Sequence, residues 1–325
     1  MARLAASGLF GFGASSLGNL YREVTDAEAR GAVEAAWING IRYFDTAPFY
    51  GFGLSERRLG DALRGYDRND YILSTKAGRL LFPAETRGVR DGFHSPMPFA
   101  PVFDYSYDGV MWSFEASLHR LGLDRIDILL MHDLGGSTHG SNHRRMSEQA
   151  INGGFRALME LRDQGVVSAI GLGVNEIAVC EDSVAHADFD LFLIAGRLSL
   201  LDQSASSFFD ICRKRGVGIL AAGVFSSGIL ATGPASPAAR HAYAPASEGV
   251  RARVEAIERI CRAFDVSLPS AALRFVARHS GVTLPVIGVS NAAEVYAAVE
   301  FSRISLPDAL WEALAPVLQT GDPPA

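Results

Sequence analysis

The chain has 325 residues, of which 48% are hydrophobic and 20% charged, and its formal net charge is −6. This composition excludes a disordered chain, and the acidic balance argues against a nucleic-acid partner, which needs a basic surface. Three cysteines lie far apart, without a CxxC pair, so neither a disulfide framework nor a thiolate metal site is indicated. We therefore expect a soluble, cytoplasmic protein without a cleaved signal peptide. The uncharged segment 216–239 contains Gly, Ser and Pro, which favours a strand and a loop over a membrane helix.

Short apolar runs alternate along the chain with longer segments of helical spacing, a pattern typical of βα units and a parallel sheet. Eight such units in roughly 290 residues match the count and size of a (β/α)8 TIM barrel. We expect one α/β domain that spans residues 1–325. The predicted strands are 9–13, 42–47, 71–76, 126–132, 169–174, 191–195, 217–222 and 284–289.

Helix signals lie between these runs. Thr25 and Glu28 have capping-box spacing at the start of a helix that ends near Gly40, while Ser106 and Gly122 bracket another. Three long connections, 79–105, 133–147 and 224–248, follow predicted strands three, four and seven. All three therefore leave the C-terminal face of the barrel, where enzymes of this fold place their sites.

Chemically active side chains end three successive strands. The second strand ends in Asp45, the third in Lys76 and the fourth in His132, and Tyr50 follows the second strand by a short loop. Each residue alone has an ordinary structural explanation, but together they bring acid–base groups to one barrel mouth. We expect Lys76 to lower the pKa of Tyr50, Asp45 to hold Lys76 charged, and His132 to bind the substrate oxygen.

These four positions resemble the Asp–Tyr–Lys–His tetrad of the aldo-keto reductases, and residues 40–50 resemble the first signature of that family. The resemblance covers nearly the whole chain. It implies that Tyr50 exchanges a proton with the reacting oxygen while a hydride passes to or from a nicotinamide. The catalytic set implied is Asp45, Tyr50, Lys76 and His132.

The resemblance also implies a nicotinamide dinucleotide site. Gly11 to Ser16 is similar to a Rossmann fingerprint, but serine replaces the last glycine, so we interpret this segment as the first barrel strand. Near the adenosine end, family members that use NADP carry Lys or Arg, whereas this chain has Glu294, which would repel a 2′-phosphate. NAD is therefore the expected cofactor, with NADP possible. The implied cofactor residues are Gly13, Asp45, Asn175, Ser226, Ser227, Gly228, Leu230, Gly288, Ser290, Asn291 and Glu294.

Some positions depart from the family pattern. Val174, Ala195 and Ala222 replace residues that commonly orient the nicotinamide, which leaves those contacts open. For the substrate, Phe49, Arg79 and His132 are the candidate contacts. Trp112 and Phe114 are expected to lie in the core of a helix. His139 and His143 have i, i+4 spacing but no third ligand, so no metal site is predicted.

Three segments, 54–60, 103–109 and 132–134, resemble a branch of the family that oxidises D-threo-aldoses such as L-fucose at C1 to the lactone. The neighbouring pyridoxal 4-dehydrogenases make oxidation of pyridoxal an alternative. An NADPH-dependent carbonyl reductase and a cofactor-binding regulatory subunit without turnover are the other hypotheses. The expected partner is thus a small sugar or pyridoxal-like molecule, and whether the chain is a monomer or a homo-oligomer stays open.

Overall fold

Eight parallel strands close into a barrel in the order Gly11–Gly13, Leu284–Gly288, Gly218–Ala222, Leu191–Ala195, Ala169–Val174, Ile128–His132, Ile72–Ala77 and Tyr43–Asp45. The structure is a computed structural model that describes residues 2–85 and 88–318. The (β/α)8 prediction is confirmed, and each predicted strand coincides with a barrel strand within one or two residues at either end. The strands are β1 (Gly11–Gly13), β2 (Tyr43–Asp45), β3 (Ile72–Ala77), β4 (Arg79–Pro83), β5 (Phe99–Phe103), β6 (Ile128–His132), β7 (Ala169–Val174), β8 (Leu191–Ala195), β9 (Gly218–Ala222), β10 (Arg240–His241), β11 (Ala244–Pro245) and β12 (Leu284–Gly288).

Most of the longer helices surround the barrel and bury an apolar stripe against its strands. The helices are α1 (Ala2–Ala5), α2 (Asp26–Ile38), α3 (Leu54–Leu63), α4 (Tyr107–Leu121), α5 (Gly136–His139), α6 (His143–Gln149), α7 (Phe155–Asp163), α8 (Ile177–Ser183), α9 (Ser206–Arg215), α10 (Ile229–Thr232), α11 (Glu248–Ala263), α12 (Leu268–Ala277), α13 (Ala292–Arg303) and α14 (Asp308–Leu318). Of these, α10, α11 and α14 contribute to a second apolar cluster. None of the helices within residues 2–85 and 88–318 is long and apolar enough to cross a bilayer.

Three predicted helix boundaries are confirmed in detail. Thr25 accepts a hydrogen bond from the Glu28 amide, and the Glu28 carboxylate accepts one from the Thr25 amide, which completes the capping box of α2. Ser106 caps α4 by accepting a hydrogen bond from the Gly109 amide, and Gly122 ends α4 with the positive φ that favours glycine. These caps fix the start of α2 and both ends of α4.

The three long connections contain more regular structure than the sequence indicated. The first folds as the antiparallel hairpin β4–β5. The second is almost entirely helical, with α5 and α6 leading through a π-helical turn into α7. The third holds α10 and the small hairpin β10–β11. Short amphipathic segments of this kind pack only on a tertiary surface, so their local pattern is weak.

The barrel interior is apolar at one end and polar at the other. Leu4 of α1 joins an interior cluster at the N-terminal ends of the strands, which includes Tyr43, Ile72, Ile128 and Leu191. At the opposite ends of β2, β3 and β6 lie Asp45, Lys76 and His132. The fold therefore fills the bottom of the barrel and gathers the polar groups at its C-terminal mouth.

Candidate active site

Lys76 and Asp45 form a buried ion pair at the barrel mouth. The Lys76 ammonium donates to both Asp45 carboxylate oxygens, each at 2.7 Å, and to the Thr46 carbonyl oxygen at 2.9 Å. The side chains are 1% and 4% exposed. Because all three N–H donors of the ammonium have acceptors, its charge is balanced and its position is fixed.

Ser74 extends this pair, although the sequence analysis did not single it out. Its hydroxyl donates to Asp45 Oδ1 at 2.5 Å and lies 2.7 Å from the Tyr43 hydroxyl. Ser74 and Lys76 are two residues apart on β3, so they share a face of the strand. The spacing of two residues between Ser74 and Lys76 is the signal in the sequence that could have identified Ser74.

Glycine at position 173 makes room for the lysine. A Cβ added at Gly173 of β7 would lie 2.9 Å from Lys76 Cε and 3.0 Å from Cδ. Real side chains do not come this close, so any larger residue at this position would displace the lysine stem.

Tyr50 is half-buried in the loop after β2. The Lys76 ammonium lies 5.4 Å from the centre of the Tyr50 ring, and the His132 ring lies 5.9 Å away at nearly a right angle. Gly18 and Gly51 hold the loop, because a Cβ on either would overlap the backbone of the other segment. The structure thus brings together Asp45, Tyr50, Lys76 and His132, the four residues for which we predicted catalytic roles.

The pKa of Tyr50 differs from our expectation. It is raised well above the ordinary phenol value, first because burial disfavours the phenolate and second because the Asp45 carboxylate repels it; Arg79 opposes these effects. The prediction that Lys76 lowers this pKa is wrong for this arrangement, since the Asp45 carboxylate balances the ammonium charge. Tyr50 is therefore a neutral phenol near pH 7.

His132 is held neutral for a similar reason. Burial and the neighbouring Arg79 and Lys76 charges lower its pKa well below the ordinary histidine value. Its Nε2 lies 3.5 Å from Asp133 Oδ2, and its buried Nδ1 has no hydrogen-bond partner within the described ranges. A neutral imidazole at this position can bind a substrate oxygen by hydrogen bonding.

Arg79 lies beside these groups in an aromatic sandwich. Its guanidinium carbon is 3.9 Å from the Phe49 ring centre and 4.9 Å from that of Phe103, and the group pairs with the Asp133 carboxylate. The structure therefore places Phe49, Arg79 and His132, the candidate substrate contacts, next to each other. Asp133 is an additional charged residue that the sequence analysis did not assign to the site.

The other aromatic and histidine predictions have mixed outcomes. Phe114 is 5% exposed and lies in the core as expected, whereas Trp112 is 53% exposed and packs edge-on against Phe82, so its predicted core position is wrong. His139 lies 2.9 Å from the Tyr105 hydroxyl, while His143 faces the Leu134 carbonyl oxygen. Within residues 2–85 and 88–318, no group of three His, Cys, Asp or Glu side chains could hold a metal ion.

The adenosine-side candidates form one network at the start of α13. Asn291 caps the helix by accepting from the Glu294 amide at 3.0 Å. The Glu294 carboxylate accepts from the Ser290 amide at 2.7 Å, the Ser290 hydroxyl at 2.9 Å and the Asn291 side chain at 2.9 Å. Arg22, which the sequence analysis missed, donates to the Ser290 hydroxyl at 2.7 Å. Gly288 precedes this network and is exposed, with ordinary contact distances around the position of an added Cβ.

The pyrophosphate-side candidates lie after β9. Ser226, Ser227 and Gly228 have three consecutive positive φ angles, 47°, 59° and 110°, a conformation that can turn backbone N–H groups toward an anion. The Ser226 hydroxyl donates to Ser199, whereas the Ser227 hydroxyl accepts from the amide of Tyr243 at 3.0 Å. Leu230 is fully buried in an apolar cluster, so its side chain is unavailable to a cofactor.

Asn175 and Gly13 complete the predicted cofactor set. Asn175 follows β7, is half-buried, and its side-chain oxygen lies 3.5 Å from the Tyr243 hydroxyl. Gly13 lies in β1, where an added Cβ would come 3.2 Å from the Ile287 carbonyl oxygen. The segment from Gly11 is a barrel strand rather than a Rossmann turn, as we expected.

Comparison with known proteins identifies the family of this chain. The model of the aldo/keto reductase family matches residues 10–318. Pyridoxal 4-dehydrogenase of Microbacterium luteolum is 42% identical over 94% of this chain and 92% of its own. D-threo-aldose 1-dehydrogenase of a Pseudomonas species is 39% identical over 96% of this chain and 95% of its own.

Solved structures of the same family share the fold. The aldo-keto reductase AKR11C1 of Bacillus halodurans, in its holo form, aligns with a TM-score of 0.73 at 22% identity over 96% of this chain and 92% of its own. The glycerol dehydrogenase AKR11B4 of Gluconobacter oxydans gives a TM-score of 0.73 at 20% identity over 98% of this chain and 94% of its own. This chain therefore belongs to the aldo/keto reductase family and is an NAD(P)-dependent oxidoreductase that acts on small molecules.

Proposed function

We propose that the protein oxidises a cyclic aldose hemiacetal, such as that of L-fucose, at C1 to the lactone with NAD. The observation that carries this proposal is the placement of a neutral phenol, Tyr50, beside a neutral imidazole, His132, at a mouth that also presents the Arg79–Asp133 pair. The 39% identity to a D-threo-aldose 1-dehydrogenase supports the sugar substrate.

Different residues of the chain carry out the separate steps of this oxidation. His132 binds the C1 oxygen, and Tyr50, after its phenol has lost its own proton to solvent, takes as the phenolate the proton that this oxygen loses when the carbonyl of the lactone forms. The Lys76–Asp45 pair fixes the lysine ammonium beside the Tyr50 ring. When bound, the oxidised nicotinamide supplies the acceptor for the hydride that leaves C1, so the products are the lactone, the reduced cofactor and one proton.

The polar groups that surround the mouth suit a dinucleotide. The left-handed run at Ser226–Gly228 can turn amide N–H groups toward phosphate oxygens, and the Glu294 carboxylate at the start of α13 can accept hydrogen bonds from a ribose diol. In this proposal the side chain of Asn175 holds the nicotinamide amide. The proposed cofactor contacts are Gly13, Asp45, Asn175, Ser226, Ser227, Gly228, Gly288, Ser290, Asn291 and Glu294.

The preference for NAD rests on Glu294. Its carboxylate already accepts the Ser290 amide, the Ser290 hydroxyl and the Asn291 amide, which are the donors that a 2′-phosphate would require. A second negative charge at this position is disfavoured. Arg22 opposes this effect because its guanidinium contacts Ser290, so the balance of the two charges decides between NAD and NADP.

The cofactor preference is tested by titrating NAD and NADP into the protein and into two variants. We expect Glu294→Gln to tighten NADP binding by about tenfold or more, because like-charge juxtaposition costs several kcal/mol. Glu300→Gln removes an exposed carboxylate from the same helix and should leave the ratio of the two dissociation constants unchanged. A wild-type protein that binds NADP more tightly than NAD would contradict this part of the proposal.

Pyridoxal is the second candidate substrate, and the 42% identity to a pyridoxal 4-dehydrogenase favours it. Its cyclic hemiacetal also carries the reacting hydroxyl on a ring carbon, so the same proton and hydride transfers apply. Formation of reduced cofactor with aldoses and with pyridoxal, measured in parallel, distinguishes the two. A higher kcat/KM for pyridoxal than for every aldose would replace the sugar proposal.

A further inference from the structure

Asp133 has features that a counter-ion for Arg79 alone does not need. Its carboxylate pairs with the Arg79 guanidinium, and its Oδ2 lies 3.5 Å from His132 Nε2. Both contacts fall on Oδ2, so neither Arg79 nor His132 engages the second carboxylate oxygen. The carboxylate is therefore next to the imidazole that we assign to the reacting oxygen.

Exposure and backbone geometry distinguish Asp133 further. Its side chain is 16% exposed, whereas that of Arg79 is 4% exposed, so the carboxylate is the more accessible member of the pair. The φ angle of Asp133 is +46°, a conformation that costs energy for a residue with a side chain and that concentrates at functional sites.

The surroundings hold this carboxylate in one place. The Asp133 amide donates to the Gly173 carbonyl oxygen at 2.9 Å, and the Tyr105 hydroxyl donates to the adjoining His132 carbonyl oxygen at 2.7 Å. The Phe49 and Phe103 rings sandwich Arg79 and fix its guanidinium. The Asp133 carboxylate is thus held in place before a substrate binds.

The chemistry of the pair selects the ligand. A carboxylate beside the reacting oxygen accepts hydrogen bonds from neutral hydroxyl groups and repels phosphate or carboxylate groups. In an aldose hemiacetal, the hydroxyl on C2 is bonded to the carbon next to the reacting C1. In pyridoxal, a ring hydroxyl lies one carbon further along, so both candidate substrates carry a hydroxyl close to the reacting carbon.

We propose that Asp133 and Arg79 form a recognition subsite for the substrate hydroxyl close to the reacting carbon. In this subsite the Asp133 carboxylate accepts a hydrogen bond from that hydroxyl, and Arg79 fixes the position of the carboxylate. The subsite rests on the proposed function and adds to it a requirement for a neutral substrate that carries a hydroxyl close to the reacting carbon. Asp133 is then a specificity-determining residue of the oxidation.

The test compares kcat/KM for L-fucose and 2-deoxy-L-fucose in the wild-type protein and in Asp133→Asn. Asparagine accepts the positive φ well, so the variant keeps the local backbone. Because a hydrogen bond to a charged group is strong, we expect the wild-type protein to prefer L-fucose by about tenfold or more. In Asp133→Asn the preference should fall toward unity, through loss on L-fucose alone.

Asp133→Gly provides a second variant, because glycine adopts this φ without strain. It should show the same loss of preference. An unchanged preference in either variant, or an equal loss on both sugars, would overturn the subsite, because a purely structural role would affect the two sugars alike. A wild-type protein that oxidises neither sugar would instead overturn the proposed function and the subsite with it.

Discussion

The Lys76 ammonium lies 2.7 Å from both oxygens of the Asp45 carboxylate, at the ends of two adjacent barrel strands and almost out of contact with solvent. A charge buried in this way is tolerated only while its partner is present. The pair therefore fixes the ammonium beside the Tyr50 ring, and its loss affects both stability and turnover.

We expect Asp45→Asn to lower the free energy of unfolding by about 3–5 kcal/mol, because it leaves the Lys76 charge buried without compensation. Turnover should fall as well, since the ammonium is no longer held near Tyr50. Asp61→Asn is the matched control: it breaks the exposed pair with Arg64, whose side chain is 58% exposed, and should change stability by less than about 1 kcal/mol. Denaturant unfolding of both variants measures the difference, and equal effects would contradict the role of the buried pair.

Substitution of Gly173 tests whether turnover depends on the position of the Lys76 side chain. In Gly173→Ala the new methyl group would displace the Lys76 stem, so we expect a loss of kcat of about tenfold or more with cofactor binding retained. Gly31→Ala is the control, because Gly31 is half-buried in helix α2 and an added Cβ there meets nothing within 4 Å. That variant should keep wild-type kcat and gain some stability. Wild-type kcat in Gly173→Ala would show that the position of the lysine does not matter.

Much of this site could be predicted from the sequence because strand ends carry their residues to a common mouth. Asp45, Lys76 and His132 are fixed by the βα alternation alone, and Ser74 follows from its spacing to Lys76. Arg22 and Asp133 could not be assigned, since their contacts join segments far apart in the chain. The raised pKa of Tyr50 could not be predicted from the sequence either, because it depends first on burial of the phenol rather than on the nearest charge.

Replacing Tyr50 by Phe removes only the hydroxyl. We expect kcat to fall by roughly 10²–10⁴-fold, the usual contribution of a positioned proton-transfer group, while the dissociation constant of NAD stays nearly unchanged. Because the pKa of Tyr50 is raised, its phenolate becomes more abundant as the pH rises, so the wild-type rate of oxidation should increase through the alkaline range. The variant should lack that increase. A variant that keeps wild-type kcat would rule out the proton-transfer role.

His132 should make the folded state sensitive to acid. The pKa of His132 is lowered in the folded protein, so at mildly acidic pH the unfolded chain binds a proton at this residue that the native state does not bind. The stability is therefore complete above the ordinary histidine pKa of about 6.5 and declines as the pH falls below it. Unfolding midpoints of wild type and His132→Gln, measured between about pH 5.5 and 7.5, should converge as the pH decreases. A constant difference over this window would contradict the lowered pKa.

The most direct test of the proposed oxidation uses L-fucose that carries deuterium at C1, with NAD as the acceptor. We expect the deuterium to appear in the reduced nicotinamide, the sugar to be recovered as the lactone, and Tyr50→Phe to slow the appearance of both by roughly 10²–10⁴-fold. Reduced cofactor without deuterium would contradict the claim that the hydride leaves C1. Failure of the wild-type protein to form any reduced cofactor from L-fucose would contradict the proposed oxidation of this hemiacetal.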